Sequence, residues 1–168
     1  SDLSGDSVEG ETNRIGALTS HAKIGADPLV KTHAPLLTDA VAHIAHAAIR
    51  NRGTIGGALA HADPAAEFPA CALALGATMH VEGPDGSRSI AAEDFFEEVF
   101  TTALNDGDIL TAITVPVFEA GEVQIIEEVA RRSGDYALVG LCLVKRAAGH
   151  RIALFSVGPK PLLATGAM

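Results

Sequence analysis

A chain of 168 residues is long enough for one core of ordinary size, or for one medium domain with a small second piece. Its composition, 48% hydrophobic and 20% charged, is that of a globular protein and excludes a disordered one. A net charge of −9, with only 4% aromatic residues and no Trp, argues against nucleic acid as a partner, because such binding draws on phosphate neutralisation and base stacking.

The chain opens on SDLSGDSVEGETN, polar and glycine-rich, and runs straight into a short strand over RIGAL, Arg14 to Leu18. Thr19, Ser20 and His21 form the turn after it. DPLVKTHAPLLTDAVAHIAHAAIR, residues 27–50, reads as helix, with Pro35 suited to a first turn and Leu37, Val41, Ile44 and Ala48 recurring at helical spacing. A polar, glycine-bearing loop follows. In HADPAAEFPACALALGA, residues 61–77, Asp63-Pro64 reads as a cap and first helical position. Pro69 divides a turn of helix from a second helix through Leu75, and Gly76 stops it.

ATMHVEGPDGSRSIAA reads as a β-hairpin, since Met79 and Val81 alternate with polar neighbours and Pro84-Asp85-Gly86 supplies the turn. AEDFFEEVF reads as a short amphipathic helix, and NDGDILTAITVP as a turn and a strand ending at Pro116. Pro116 to Gly121 is the best linker in the chain. After it, EVQIIEEVARR, ALVGLCLVKR and RIALFSVGP are three strand-like runs that form a small antiparallel sheet. The expected fold is α+β, a mixed piece over 1–117 and a smaller sheet-containing piece over 121–168. The chain stops at VGPKPLLATGAM, just past a strand, and both ends read as internal to a longer polypeptide. No apolar run approaches a membrane span and no signal segment opens the chain. Cys71 and Cys142 read as buried small hydrophobes in a reducing compartment, so a cytoplasmic location is expected.

The sharpest candidate for chemistry is Thr54-Ile55-Gly56-Gly57. Two residues without Cβ atoms let main-chain N–H groups converge on an anion, and a helix starting there adds its dipole; a plain tight turn has the same sequence. The spacing is neither a dinucleotide-fold fingerprint nor a P-loop. His61 follows the glycines and reads as either a ligand contact or a loop histidine. Glu67 reads as an early helical carboxylate or as an acceptor for ligand hydroxyls. Asp39, His43 and His46 lack the further ligands of a metal site. Arg131-Arg132-Ser133-Gly134-Asp135-Tyr136 reads as a charged turn, and its Tyr136, alone in the chain, is suited to packing on a planar ligand. No nucleophile elbow, CxxC cluster or tuned carboxylate pair is present, so no catalytic acid, base or metal ligand is assigned.

Taken together, IRNRGTIGGALAHADPAAEFPA, LALGA, a hairpin, FFEEVFTTAL, GDILTAITVP and ARRSGDYALVG resemble, in order and over nearly the whole chain, the FAD-binding medium subunit of molybdenum hydroxylases, the carbon monoxide and xanthine dehydrogenase flavoprotein family. The resemblance implies an FAD domain of the vanillyl-alcohol-oxidase type, partial here, followed by a small antiparallel-sheet C-terminal domain. It places Thr54, Ile55, Gly56, Gly57 and Ala58 as the second of two loops on the FAD pyrophosphate, and His61 near the ribityl-phosphate chain. Glu67 stands where the family usually has a hydroxyl-binding Asp. Leu110 matches a residue whose backbone meets the adenine or isoalloxazine region, and Tyr136 an aromatic near the flavin ring. Some relatives carry a Lys where this chain has Glu128. The family's first pyrophosphate loop, an AGG-x-S/T block, does not occur in these residues, which hold about half of an FAD site. The implied role is an electron relay, passing electrons from [2Fe–2S] clusters on a small subunit through FAD to an acceptor. Molybdopterin sits on a large subunit that oxidises the substrate. Two other readings are a self-contained flavin oxidoreductase of the same domain type and a truncated interaction module that binds no flavin. ARRSGDYALVG argues against the first.

Overall fold

The structure, a computed structural model, describes residues 3–167. Ser1 and Met168, the outer bounds of the two expected pieces, lie outside them. The described chain opens on a hairpin, β1 (Asp6–Glu9) and β2 (Thr12–Gly16), turned at Gly10 with φ +61°. β1 was not legible because DSVE has no apolar alternation; it is an edge strand, where exposed carboxylates discourage pairing with another chain. The turn expected at Thr19 to His21 is shorter, because Ser20 caps α1 (His21–Ala26) and accepts a hydrogen bond from the Lys23 N–H.

The single helix expected over residues 27–50 is three helices: α2 (Pro28–His33), α3 (Pro35–His43) and α4 (Ala47–Arg50). Pro35 cannot donate into α2 and forces Ala34 out of the helical region, to φ −148°. A second bend follows α3, with Ala45 at φ +41°; there Arg50 Nη1 donates to the carbonyls of Ile44 and Ala45, each at 2.9 Å.

α5 (Ile55–His61) begins inside the glycine motif and ends at Ala62, which is left-handed at φ +50°. Asp63-Pro64 does not start the next helix. Asp63 Oδ1 accepts from the Ala65 N–H in a turn, and the Pro64 carbonyl is taken by the Ser156 N–H. α6 (Glu67–Leu75) starts three residues later, and Pro69 does not break it, because first-turn N–H groups need no partner inside the helix. Gly76 terminates it at φ +68°, as expected.

The hairpin of β3 (Thr78–Gly83) and β4 (Gly86–Ala91) forms as expected. AEDFFEEVF is helical only over α7 (Ala92–Phe95). β5 (Phe96–Glu98) then pairs with β6 (Thr101–Thr102), so that Phe95 and Phe96 enter the core from different elements with rings at 90°. β7 (Ile109–Pro116) completes a five-stranded antiparallel sheet of order β1-β2-β7-β3-β4. β8 (Val123–Ala130), β9 (Ala137–Arg146) and β10 (Gly149–Phe155) form the second antiparallel sheet, extended by β11 (Leu162–Leu163).

The mixed helical and antiparallel architecture is the α+β fold expected. α6 is its hub: all nine residues are buried, packed against β9, β10, α3, α5 and β7, in one core that continues from one sheet to the other. Cys71 on α6 and Cys142 on β9 are free, fully buried thiols with sulfurs 3.6 Å apart, and burial pushes the Cys71 thiol up. Arg151 of β10 donates to the Leu73 carbonyl, placing a cation at the C-terminal end of α6.

Gly140 of β9 is cross-strand from Phe155 of β10, and a Cβ there would overlap the far end of its buried ring. Gly140→Ala is expected to destabilise the intact subunit by about 1–3 kcal/mol, read as a lowered denaturation midpoint.

Candidate functional site

A cavity of about 630 Å³ opens at the N-terminal end of α6. One wall is the bend before α5, with Ile44, Ala45, Ile49, Arg52 and Gly53. The second is α5 itself, with Thr54, Gly57, Ala58 and His61. Asp63, Ala66, Glu67 and Phe68 form the floor, and Gly134, Asp135 and Tyr136 reach in from the β8–β9 turn. His21 of α1 also contributes.

Six of the nine residues singled out from sequence therefore share one cavity: Thr54, Gly57, Ala58, His61, Glu67 and Tyr136. Ile55 and Gly56 stand behind its wall, both buried. Leu110 is not brought there. It is a buried residue of β7, cross-strand from Val81, with its side chain in the core.

Four amides of the motif, from Ile55 to Ala58, already have acceptors within the protein. The Ile55 N–H donates to the Thr19 carbonyl at 3.0 Å, and the Gly56 N–H to the Ala17 carbonyl at 2.8 Å. The Gly57 N–H donates to Thr54 Oγ1 at 3.1 Å, and the Ala58 N–H to the Thr54 carbonyl. The motif thus sews the start of α5 onto the β2–α1 connection. The two glycines have separate tasks. A Cβ at Gly56 would lie 2.8 Å from the Ala17 carbonyl oxygen, whereas Gly57 is exposed on the cavity wall and only Thr54 Oγ1 is near.

The β8–β9 turn is held over the cavity by Gly134. It has φ +84°, and a Cβ there would lie 2.8 Å from both the Ala45 carbonyl oxygen and the His46 ring. Tyr136 beyond it is 69% exposed, with its phenol raised first by partial desolvation and then by the Asp63 carboxylate. His61 stacks on Phe100, centroids 4.7 Å apart. Glu128 does not line the cavity; it pairs with His43 Nδ1 at 3.3 Å.

Glu67 is the first residue of α6 and only 7% exposed. Burial raises its carboxyl to about 7; its own main-chain N–H opposes the shift, and Glu128 and Asp63 add to it. His21 is buried edge-on against Phe68, ring centroids 5.0 Å apart, and burial lowers its pKa. A backbone group at Thr54 opposes part of that shift, yet neither ring nitrogen has a well-formed hydrogen bond. Sequence reasoning missed His21, read as a turn, and Arg52. It also missed Ile44 and Ile49, whose spacing is that of a helix interior. Only the Ser-Gly-Asp turn at Gly134 carried a local signal.

Residues 1–118 match the family described as the FAD binding domain in molybdopterin dehydrogenase. The chain belongs to this family. Within this molybdopterin dehydrogenase FAD-binding family, the chain is 38% identical over 170 residues to the carbon monoxide dehydrogenase medium chain of Hydrogenophaga pseudoflava, covering 98% of this chain and 59% of the relative. It is 43% identical over 138 residues to the glyceraldehyde dehydrogenase medium chain of Sulfolobus acidocaldarius, covering 82% and 49%. Among solved structures, a Hydrogenophaga pseudoflava carbon monoxide dehydrogenase superposes with TM-score 0.96 at 39% identity, covering 99% of this chain and 60% of that one. Quinoline 2-oxidoreductase from Pseudomonas putida 86 superposes with TM-score 0.90 at 38% identity, covering 97% and 58%. The chain thus spans about half to three fifths of the length of these relatives. No helix among the described residues is long and apolar enough to cross a membrane, and no group of three or more His, Cys, Asp or Glu among them could hold a metal ion.

A carboxyl raised to about 7 from 4.5 favours the folded state while protonated. Its contribution is complete below pH 4.5 and is lost as pH rises through about 7, in total about 3 kcal/mol. Glu67→Gln is therefore expected to remove a fall in stability between these pH values, measured by denaturant melts of both flavin-free proteins across that range.

Proposed function

We propose that the cavity binds FAD, and that the chain is the FAD-binding part of the medium subunit of a molybdenum hydroxylase. In that assembly, electrons from [2Fe–2S] clusters on a small subunit pass through FAD to an acceptor, and molybdopterin is carried by a large subunit. The observation that carries the reading is the convergence of Thr54, Gly57, Ala58, His61, Glu67 and Tyr136, from three parts of the chain, on one cavity. The electron-transfer role and the partner subunits rest on the family and on the relatives named above. A cytoplasmic location is in keeping with the two free thiols.

The residues present fit a flavin dinucleotide. The cavity volume is in the range of organic-ligand sites, roughly 300–1,000 Å³. Ile44, Ile49, Ala58 and Phe68 give it apolar surface for a planar ring system, and Gly57 leaves open space where any side chain would narrow it. Glu67 is a buried acceptor with no side-chain partner among the described residues, and it suits ligand hydroxyls. Tyr136 offers an exposed aromatic face at the mouth. FAD supplies the redox chemistry when bound; the protein contributes position, exclusion of water and local charge. In this reading residues 1–117 form the flavin-binding portion, and residues 121–168 a second domain whose β8–β9 turn closes the cavity.

The full-length subunit is expected to purify yellow, with FAD in near-stoichiometric amount. Gly57→Val is expected to abolish FAD content while leaving thermal stability close to wild type. Gly56→Val, directed into Ala17, is expected to lower stability itself. A colourless full-length subunit with no affinity for FAD, even when expressed with its partners, would sink the reading.

A further inference from the structure

We infer that Cys71 and Cys142 form a reversible disulfide, a redox-sensitive staple between α6 and the second sheet that hydrogen peroxide closes and a reducing thiol reopens. The inference goes beyond the flavin reading and does not depend on it.

Three observations lead to it. First, the two sulfurs are 3.6 Å apart, although 71 residues separate them in sequence. A disulfide bond is about 2.0 Å long, so closure needs an approach of about 1.6 Å. Modest rotation about two Cα–Cβ bonds gives a movement of that size. Second, both residues are fully buried, and among the described residues each sulfur has the other as its polar partner.

Third, the pair joins two parts of the fold. Cys71 lies in α6, one turn after Glu67 at the cavity floor. Cys142 lies in β9, the strand that leads away from Tyr136 and the turn over the cavity. The neighbours leave room for the bond. Ala70 and Ala72 flank Cys71, and Cys142 is cross-strand from Ala153 and Ile126, so α6 packs closely on β9. Paired thiolates also hold metals, but no group of three or more His, Cys, Asp or Glu among the described residues could do so.

The step balances with hydrogen peroxide as the oxidant. One sulfur, as thiolate, attacks a peroxide oxygen; the O–O bond breaks, a sulfenic acid forms and one water leaves. The second sulfur attacks the sulfenic sulfur; the S–S bond forms, the S–OH bond breaks and a second water carries off the remaining proton. The two thiols lose two electrons, and the two peroxide oxygens gain them. Burial pushes the Cys71 thiol up, which keeps thiolate scarce and makes closure slow at neutral pH. A bond of this kind records sustained rather than brief oxidation, as redox-sensing disulfides of reducing compartments do.

The test uses the full-length subunit, treated with hydrogen peroxide, quenched with an alkylating agent and digested without reductant for mass spectrometry. The expected product is one peptide pair joined through Cys71 and Cys142, lighter by two hydrogen atoms than the reduced pair and separated by dithiothreitol. Closure should quicken as pH rises above neutral. The oxidised subunit is expected to unfold at a higher denaturant concentration than the reduced one, its unfolding equilibrium constant falling roughly hundredfold. Cys71→Ala and Cys142→Ala should each abolish that gain. Where either variant fails to fold, the oxidised and reduced wild type decide the matter between them. Thiols still free after prolonged peroxide overturn the inference, since the pair is then a packing contact only. Sulfinic acid at either residue, a disulfide between two copies of the chain, or an oxidised subunit no more stable than the reduced one overturns it too.

Discussion

The burial of α6 on every side is the constraint on which the structure depends. A helix with all nine residues out of water needs packing partners around its whole circumference, and no single sheet provides them. β9 and β10 cover one part, β7 another, and α3 and α5 close the rest. The cavity lies where this enclosure stops, at the N-terminal end of the helix. The same packing decides the state of Glu67. A carboxylate in the first turn of a helix gains roughly 0.3–1 kcal/mol from the dipole. Desolvation outweighs that gain and raises the group to about 7.

The glycines of the site divide the work between backbone and ligand space. Gly56 lets α5 approach Ala17 closely enough for its N–H to reach the Ala17 carbonyl, and a Cβ would block that approach. Gly53 similarly admits the His21 ring, whose Cε1 would lie 2.9 Å from a Cβ. Gly134 is the position where conformation itself demands glycine, since its φ is positive and its neighbours are a carbonyl and a ring. Gly57 alone faces the cavity without a backbone neighbour against it. The motif is therefore mainly a joint between the start of α5 and the β2–α1 connection, reinforced by the bridge between Ser20 and Thr54. Its cavity-facing residues are the Thr54 cap, Gly57 and Ala58.

What was legible in sequence was what local chemistry decides. The β3–β4 hairpin, β7, the three strands of the second sheet and the Gly76 stop all follow from alternation, turn residues and glycine permissiveness. The helical region failed where tertiary demands overrode periodicity. Apolar spacing over residues 27–50 is continuous through Pro35 and the Ala45 bend, and the spacing does not reveal that the chain turns there to build a cavity wall. α5 was hidden because glycines are poor helix formers, and only its bonds to Thr19 and Ala17 fix them in a helix. The motif residues of the site were readable from the resemblance. Arg52 and His21 were not, because their positions in the cavity depend on contacts between segments distant in sequence; the turn at Gly134 was legible, its place over the cavity was not.

The distribution of charge in the cavity follows from chain order. The α4–α5 connection contributes arginine, and the segments that begin α6 and β9 contribute carboxylates. In a protein of net charge −9, the long-range field does not favour an anionic ligand. That field is screened over about 8 Å at physiological salt, so contacts inside the cavity decide what binds. Asp63, Glu67 and Asp135 favour hydroxyls and disfavour phosphate, while Arg52 does the reverse. The fold therefore sets not only the size of the cavity but an asymmetry of charge across it, with Arg52 on the wall before α5 and Asp63, Glu67 and Asp135 opposite.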